Sequence, residues 1–134
     1  LNSSAIMGKK ILVIDDEPGI RQILEIHLSA AGYDVVSAEN ARFGLERVSG
    51  GDIDMAVCDF KLPDMEGEEI VDAIREIDGD LPLVIISGFI DHEVAERVGE
   101  RGRIEYLKKP FTKETLLAVV DRVLSLGGEP TGNG

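Results

Sequence analysis

The chain has 134 residues, 43% hydrophobic and 30% charged, with a formal net charge of −12. That length suits one domain with a real core and is short for two, and the acidic balance argues against a nucleic-acid-binding surface while leaving room for cations or basic partner surfaces. The single cysteine, Cys58, rules out an internal disulfide and suits a cytoplasmic setting, and no apolar run approaches the roughly 20 residues of a membrane span.

Residues 1–6 precede a start at Met7 and read as an N-terminal extension, without a signal-peptide pattern. Lys10-Ile11-Leu12-Val13-Ile14 is a continuous apolar run ending at Asp15-Asp16-Glu17, as expected of a strand buried on both faces. Pro18 suits the first turn of a helix whose inner face is Ile20, Ile23, Leu24, Leu28 and Ala31, with Gly32 as its stop. His27 falls on the same face and reads as a packed histidine, since no second His lies near it to make a metal pair. The mixed segment from Tyr33 to Ala38 predicts an edge strand. Asn40 caps a second helix with Ala41, Gly44, Leu45 and Val48 inward, closed by Gly50-Gly51.

Met55-Ala56-Val57-Cys58-Asp59 predicts a buried strand, with Cys58 a small core residue, and Pro63 and Gly67 mark the following segment as a loop. Ile70, Ile74 and Ile77 give a third helix its stripe, ended by Asp78-Gly79-Asp80. Leu83 to Ser87 is another apolar strand, broken by Gly88. Asp91 caps a short helix with Val94, Ala95 and Val98 inward. Ile104 to Lys108 alternates as a strand at the other edge, followed by Lys109-Pro110-Phe111. Thr112 caps a last helix carrying Leu116, Val119, Val120, Val123 and Leu124. The domain is expected to span 7–126, and 127–134, without an apolar residue, reads as a flexible tail or linker stub.

Five strands alternating with five helices predict an α/β fold, a doubly wound parallel sheet with helices on both faces. Chain order does not supply strand order; the common one for this count, that of flavodoxin-like folds, is 2-1-3-4-5. In such a sheet the strand ends share one edge, where ligands bind. Asp15-Asp16, Asp59, Ser87 and Lys109 all stand at or just beyond strand ends, so carboxylates, a hydroxyl and an ammonium converge. Crowded carboxylates raise one another's pKa unless a cation sits among them, and Mg²⁺, which takes one or two carboxylates and keeps waters, suits the site. A carboxylate beside that ion could attack phosphorus while the lysine and hydroxyl disperse charge.

Asp15-Asp16, Asp59 ahead of Lys61-Leu62-Pro63-Asp64-Met65-Glu66-Gly67, Ser87-Gly88 and Lys109-Pro110-Phe111 together resemble the receiver domain of two-component response regulators, from Met7 to about Leu126. The resemblance implies the 2-1-3-4-5 order and a non-enzymatic signalling domain that assists its own phosphorylation and dephosphorylation. It implies that Asp59 accepts a phosphoryl group from a sensor histidine kinase or a histidine phosphotransfer protein. Asp15, Asp16, Asp59 and the backbone carbonyl of Lys61 would hold Mg²⁺, with Asp16 coordinating directly. Lys109 would pair with phosphoryl oxygens, its bond to Pro110 being cis, and Ser87 would hydrogen-bond the arriving group. Tyr106 would be the aromatic switch that reshapes the surface of the fourth helix, fifth strand and fifth helix, changing the preference for an output domain, a partner protein or a second copy. Lys61 and Phe89 match positions that tune phosphoryl lifetime. From the alternating strand alone, Tyr106 reads more simply as half-buried packing with a wet hydroxyl. Arg97, Arg101, Arg103, Lys108 and Lys113 make a basic region near that surface, either a solvated face or a meeting place for an acidic partner.

The rival reading is a phosphatase of the haloacid-dehalogenase type acting on small phosphate esters; it wants a second acid two residues after the nucleophile, where Lys61 stands. A flavodoxin-like cofactor module wants a phosphate cradle after the first strand, where Asp15-Asp16-Glu17 would repel phosphate. A pseudo-receiver would lack one of the acids or the lysine, and all are present.

Overall fold

The computed structural model describes residues 8–89 and 91–128; the expected N-terminal extension and positions 129–134 of the expected tail lie outside them. Five strands, β1 (Lys10–Ile14), β2 (Asp34–Ala38), β3 (Met55–Asp59), β4 (Leu83–Ser87) and β5 (Ile104–Lys108), form one parallel sheet in the order β2-β1-β3-β4-β5. Between and after them run α1 (Pro18–Ala30), α2 (Ala41–Ser49), α3 (Gly67–Ile77), α4 (His92–Gly99) and α5 (Lys113–Gly128). The flavodoxin-like α/β expectation holds, including the strand order. No helix among the described residues is long and apolar enough to cross a membrane.

The pleat sorts the core into two layers, because successive strand side chains face opposite ways. Leu12, Ile14, Ala56, Cys58, Leu83 and Ile85 pack with Ala41, Val48, Ile70, Ile74 and Val98, so α2, α3 and α4 cover that face. Ile11, Val13, Met55, Val57, Val84 and Ile86 pack with Leu24, Leu28, Leu116, Val120 and Val123, so α1 and α5 cover the other. β3 and β4 lie in the middle of the sheet and are buried along their whole length, which is why their sequences do not alternate.

Several local expectations change. Ile23 is 43% exposed and Ile77 42% exposed, although both were placed inward. On α1, Leu24 and Leu28 at i and i+4 make the buried contact, and Ile23 falls one step round the helix. On α3, Ile70, Val71 and Ile74 carry the burial, while Ile77 is the helix's last residue, at the margin of the sheet it covers. The loop after Asp59 is itself a small antiparallel hairpin, Lys61–Leu62 against Met65–Glu66, turning at Pro63-Asp64. α5 continues to Gly128, two residues past the boundary drawn at Leu126. Helix ends are the least constrained part of such a reading.

Two of the five residues of the basic region are paired within the fold. Arg97 pairs with Glu68 at 2.9 Å, and Arg101 pairs with Asp72 at 2.6 Å, tying α4 to α3. Below them the half-buried Arg75 guanidinium donates to the backbone carbonyls of Leu81, at 2.8 Å, and of Arg101. Burial lowers its pKa, but a guanidinium keeps its charge in proteins, so those carbonyls compensate a cation taken out of water.

Candidate functional site

The C-terminal ends of β1, β3 and β4 bring three expected groups to one sheet edge. Asp15 follows β1 directly and is fully buried. Its amide donates to Ala38 O at 3.1 Å, which fastens it to the end of β2. Its Oδ1 accepts from Glu17 N at 2.9 Å, and its Oδ2 is buried with no hydrogen-bond partner among the described residues. Asp59, the last residue of β3, is 7% exposed, and its Oδ1 accepts from Lys61 N at 3.4 Å. Asp16 is exposed beside them, and one carboxylate oxygen from each of Asp15, Asp16 and Asp59 lies within 4.8 Å of the others.

Burial pushes the Asp15 carboxyl up to about 6 against the amide of Glu17, with further upward push from the charges of Asp59 and Asp16. Burial also raises Asp59, and Lys109 opposes that shift most strongly. Lys109 Nζ stands 3.7 Å from Asp59 Oδ1 and also 3.7 Å from Glu17 Oε1, so one ammonium is shared between two acids. Its bond to Pro110 is cis.

Ser87 ends β4, mostly buried. Its hydroxyl donates to Phe89 O at 2.6 Å and accepts from Phe89 N at 3.2 Å. It has only that one proton to give. A cavity of about 530 Å³ opens from Asp59, Ser87 and Lys109 towards Val94 and Tyr106, with Lys61 and Phe89 at its lip. Phe89 is 77% exposed. Tyr106 is half-buried on β5 and packs against the α2–α4 layer, yet its hydroxyl is buried, without a partner among the described residues, rather than wet. Burial, and then the nearby Glu68 carboxylate, raise its pKa. Cys58 is fully buried, and burial pushes its thiol well above the ordinary range, which fits a core residue.

Three contributors escaped the sequence reading. Glu17 shares Lys109. Arg21 donates to Asp15 O at 2.7 Å, fixing the backbone that carries the acid pair. Asp64 accepts from the amides of Ala41 and Arg42, both at 3.0 Å. Glu17 had a signal, being a third acid in a run; Arg21 and Asp64 act through backbone atoms, in the case of Asp64 distant in sequence, which no residue pattern announces.

Known proteins place this arrangement in context. The family model described as "Response regulator receiver domain" matches residues 11–121. The chain is 35% identical over 118 residues to the DNA-binding transcriptional regulator NtrC of Rhizobium meliloti, covering 88% of this chain and 24% of that protein. It is 36% identical over 115 residues to the NtrC of a Bradyrhizobium strain, again covering 24% of the relative. The chain thus spans about a quarter of the length of these relatives. Among solved structures, the Vibrio cholerae chemotaxis protein CheY4 superposes with a TM-score of 0.80 at 32% identity, covering 87% of this chain and 98% of that one. A CheY-like receiver domain protein of Methanospirillum hungatei superposes with a TM-score of 0.86 at 27% identity, covering 92% of this chain and 99% of that one.

Proposed function

This chain belongs to the response regulator receiver domain family, and from that premise we propose that it is a phosphoacceptor signalling domain in which Asp59 takes a phosphoryl group from a sensor histidine kinase or a histidine phosphotransfer protein. The observation that carries the reading is the grouping of Asp15, Asp16 and Asp59 within 4.8 Å, with the Lys109 ammonium 3.7 Å from Asp59. The donor set is all oxygen, and Asp15 Oδ2 is buried without a partner among the described residues, a combination that fits a small hard cation. Asp15, Asp16 and Asp59, with the backbone carbonyl of Lys61, would hold Mg²⁺. When bound it supplies positive charge against the carboxylates and the phosphoryl oxygens.

A carboxylate oxygen of Asp59 attacks phosphorus in line. The new O–P bond forms as the P–N bond of the donor's phosphohistidine breaks, and the electron pair returns to the imidazole nitrogen. Lys109 turns from its shared position towards the phosphoryl oxygens, which relieves the like-charge crowding that the added negative charge would otherwise cause. Ser87 must release Phe89 O before its single proton can reach the phosphoryl group. That exchange frees the backbone leading into α4 and couples the chemistry to Tyr106 and the α4–β5–α5 surface. An output domain, a partner protein or a second copy of the chain would read that surface.

Incubation with a small phosphodonor and Mg²⁺ tests this. Stoichiometric labelling that stops at one phosphoryl group, and fails in Asp59→Asn, is the expected outcome. Sustained turnover of the donor without a labelled protein would overturn it.

A further inference from the structure

We propose that Asp64 is a positioning residue for the divalent-cation site, a brace that sets the spacing between the β1 acids and the β3 side of that site; the proposal rests on the metal reading given above. Asp64 stands at the turn of the small hairpin whose first arm begins at Lys61, two residues after Asp59. Both its carboxylate oxygens are engaged, one on Ala41 N and one on Arg42 N, at 3.0 Å each. These amides open α2, where a helix presents donors without internal partners and favours a negative charge. Asp64 is exposed, and although some desolvation works against ionisation, the two amides hold its carboxyl below the ordinary range.

α2 is itself fixed to the other half of the site. A Cβ on Gly44 would lie 2.5 Å from Ile14 Cδ1, so the helix backbone sits directly on the last residue of β1. The segment entering α2 leaves β2 at Ala38, whose carbonyl accepts from Asp15 N at 3.1 Å. A closed circuit results. It runs from Asp59 through the hairpin to Asp64, across to α2, and through Ile14 and Ala38 to Asp15. Pro63 stiffens the turn, and Leu62, 6% exposed, anchors the arm beneath it. The root of that arm is Lys61, whose carbonyl would complete the oxygen set. Without the Asp64 bonds the hairpin keeps two paired positions of its own, and its root is held only on the β3–β4 side, by Leu62 and by Phe60 N on Ile86 O, so its spacing from the β1 acids loses a direct tie, and metal sites respond strongly to such outer supports.

A cap on α2 alone would produce a different pattern, and Asn40 allows the comparison. Its side chain accepts from Phe43 N at 2.8 Å and caps the same helix without touching the hairpin. Calorimetric titration of Mg²⁺ into the unphosphorylated protein, with thermal midpoints in metal-free buffer, separates the two roles. Asp64→Ala is expected to weaken Mg²⁺ binding roughly tenfold, the low end of what loss of an outer support costs. Asp64→Asn, which keeps one acceptor oxygen, is expected to fall between it and wild type. Asn40→Ala is expected to lower the thermal midpoint with Mg²⁺ affinity unchanged. Wild-type affinity in both Asp64 variants, or an equal loss in Asn40→Ala, would overturn the proposal; if Asp64→Ala does not fold, wild-type affinity in Asp64→Asn alone does so. Failure of the wild type to bind Mg²⁺, or full binding by Asp16→Ala, would instead bring down the metal reading on which the proposal stands.

Discussion

Asp15 carries the largest electrostatic burden of any single residue in the site. Its carboxyl sits near 6 instead of 3.8, chiefly through burial. Between those values the folded protein keeps a proton that the unfolded chain has released. Its contribution to stability is therefore greatest below about pH 4 and is lost as pH rises through about 6. In metal-free buffer at pH 7, Asp15→Asn is expected to raise stability by roughly 1–3 kcal/mol, read as a higher denaturant midpoint. The gain should shrink towards pH 4 and in saturating Mg²⁺. A midpoint in Asp15→Asn no higher than wild type at pH 7 would mean the buried charge is already compensated. Lys61 and Phe89 line the cavity beside Asp59, where, on the proposed reading, they would shield a phosphoryl group from water. Lys61→Ala and Phe89→Ala should each shorten the phosphorylated half-life severalfold, and unchanged half-lives would leave the two as surface cover. The acids, Ser87 and Lys109 were legible because chemistry-bearing residues stood at the ends of apolar strands. The bond between Ser87 and Phe89 was not, since a hydroxyl's partner within a loop depends on backbone angles that the residues Ser-Gly-Phe leave open.

Elements were legible where burial imposed a period. β1, β3 and β4 were marked by unbroken apolar runs, and Asn40, Asp91 and Thr112 cap their helices as their side chains suggest. The inward faces of α1 and α3 were drawn too wide at Ile23 and Ile77, because a helix crossing a flat sheet touches it over a narrow stripe and not over every apolar position. Gly67 illustrates a subtler difference. In the sequence it marks a loop, yet in the structure it opens α3 as part of a capping box between Glu66 and Glu69. Its role is space: a Cβ there would lie 2.2 Å from the Phe60 ring. Gly67→Ala must displace Phe60, next to Asp59, and is expected to cost about 1–3 kcal/mol, typical of overpacking, measured as a lower denaturant midpoint. A midpoint within error of wild type would show that the ring moves aside freely.

For the whole molecule, the alternation of strand and helix dictated a parallel α/β sheet, while strand order came from the resemblance and not from any local pattern. The ties of Arg21 to Asp15, Asp64 to α2 and Arg75 to the backbone before β5 are contacts to main-chain atoms and leave almost no imprint on residue type. At one edge a chain of net charge −12 buries two carboxylates. Backbone donors and Lys109 offset part of the cost, and the remainder makes the site receptive to a cation. The central claim is that this edge exists to let one aspartate carry a phosphoryl group. Trapping the acyl phosphate with borohydride after exposure to a small phosphodonor, followed by peptide mass spectrometry, tests it most directly. The account predicts one reduced residue, Asp59, formed with Mg²⁺ and not when the metal is chelated; reduction at Asp15 or Asp16 in place of Asp59, or labelling indifferent to the metal, would contradict it.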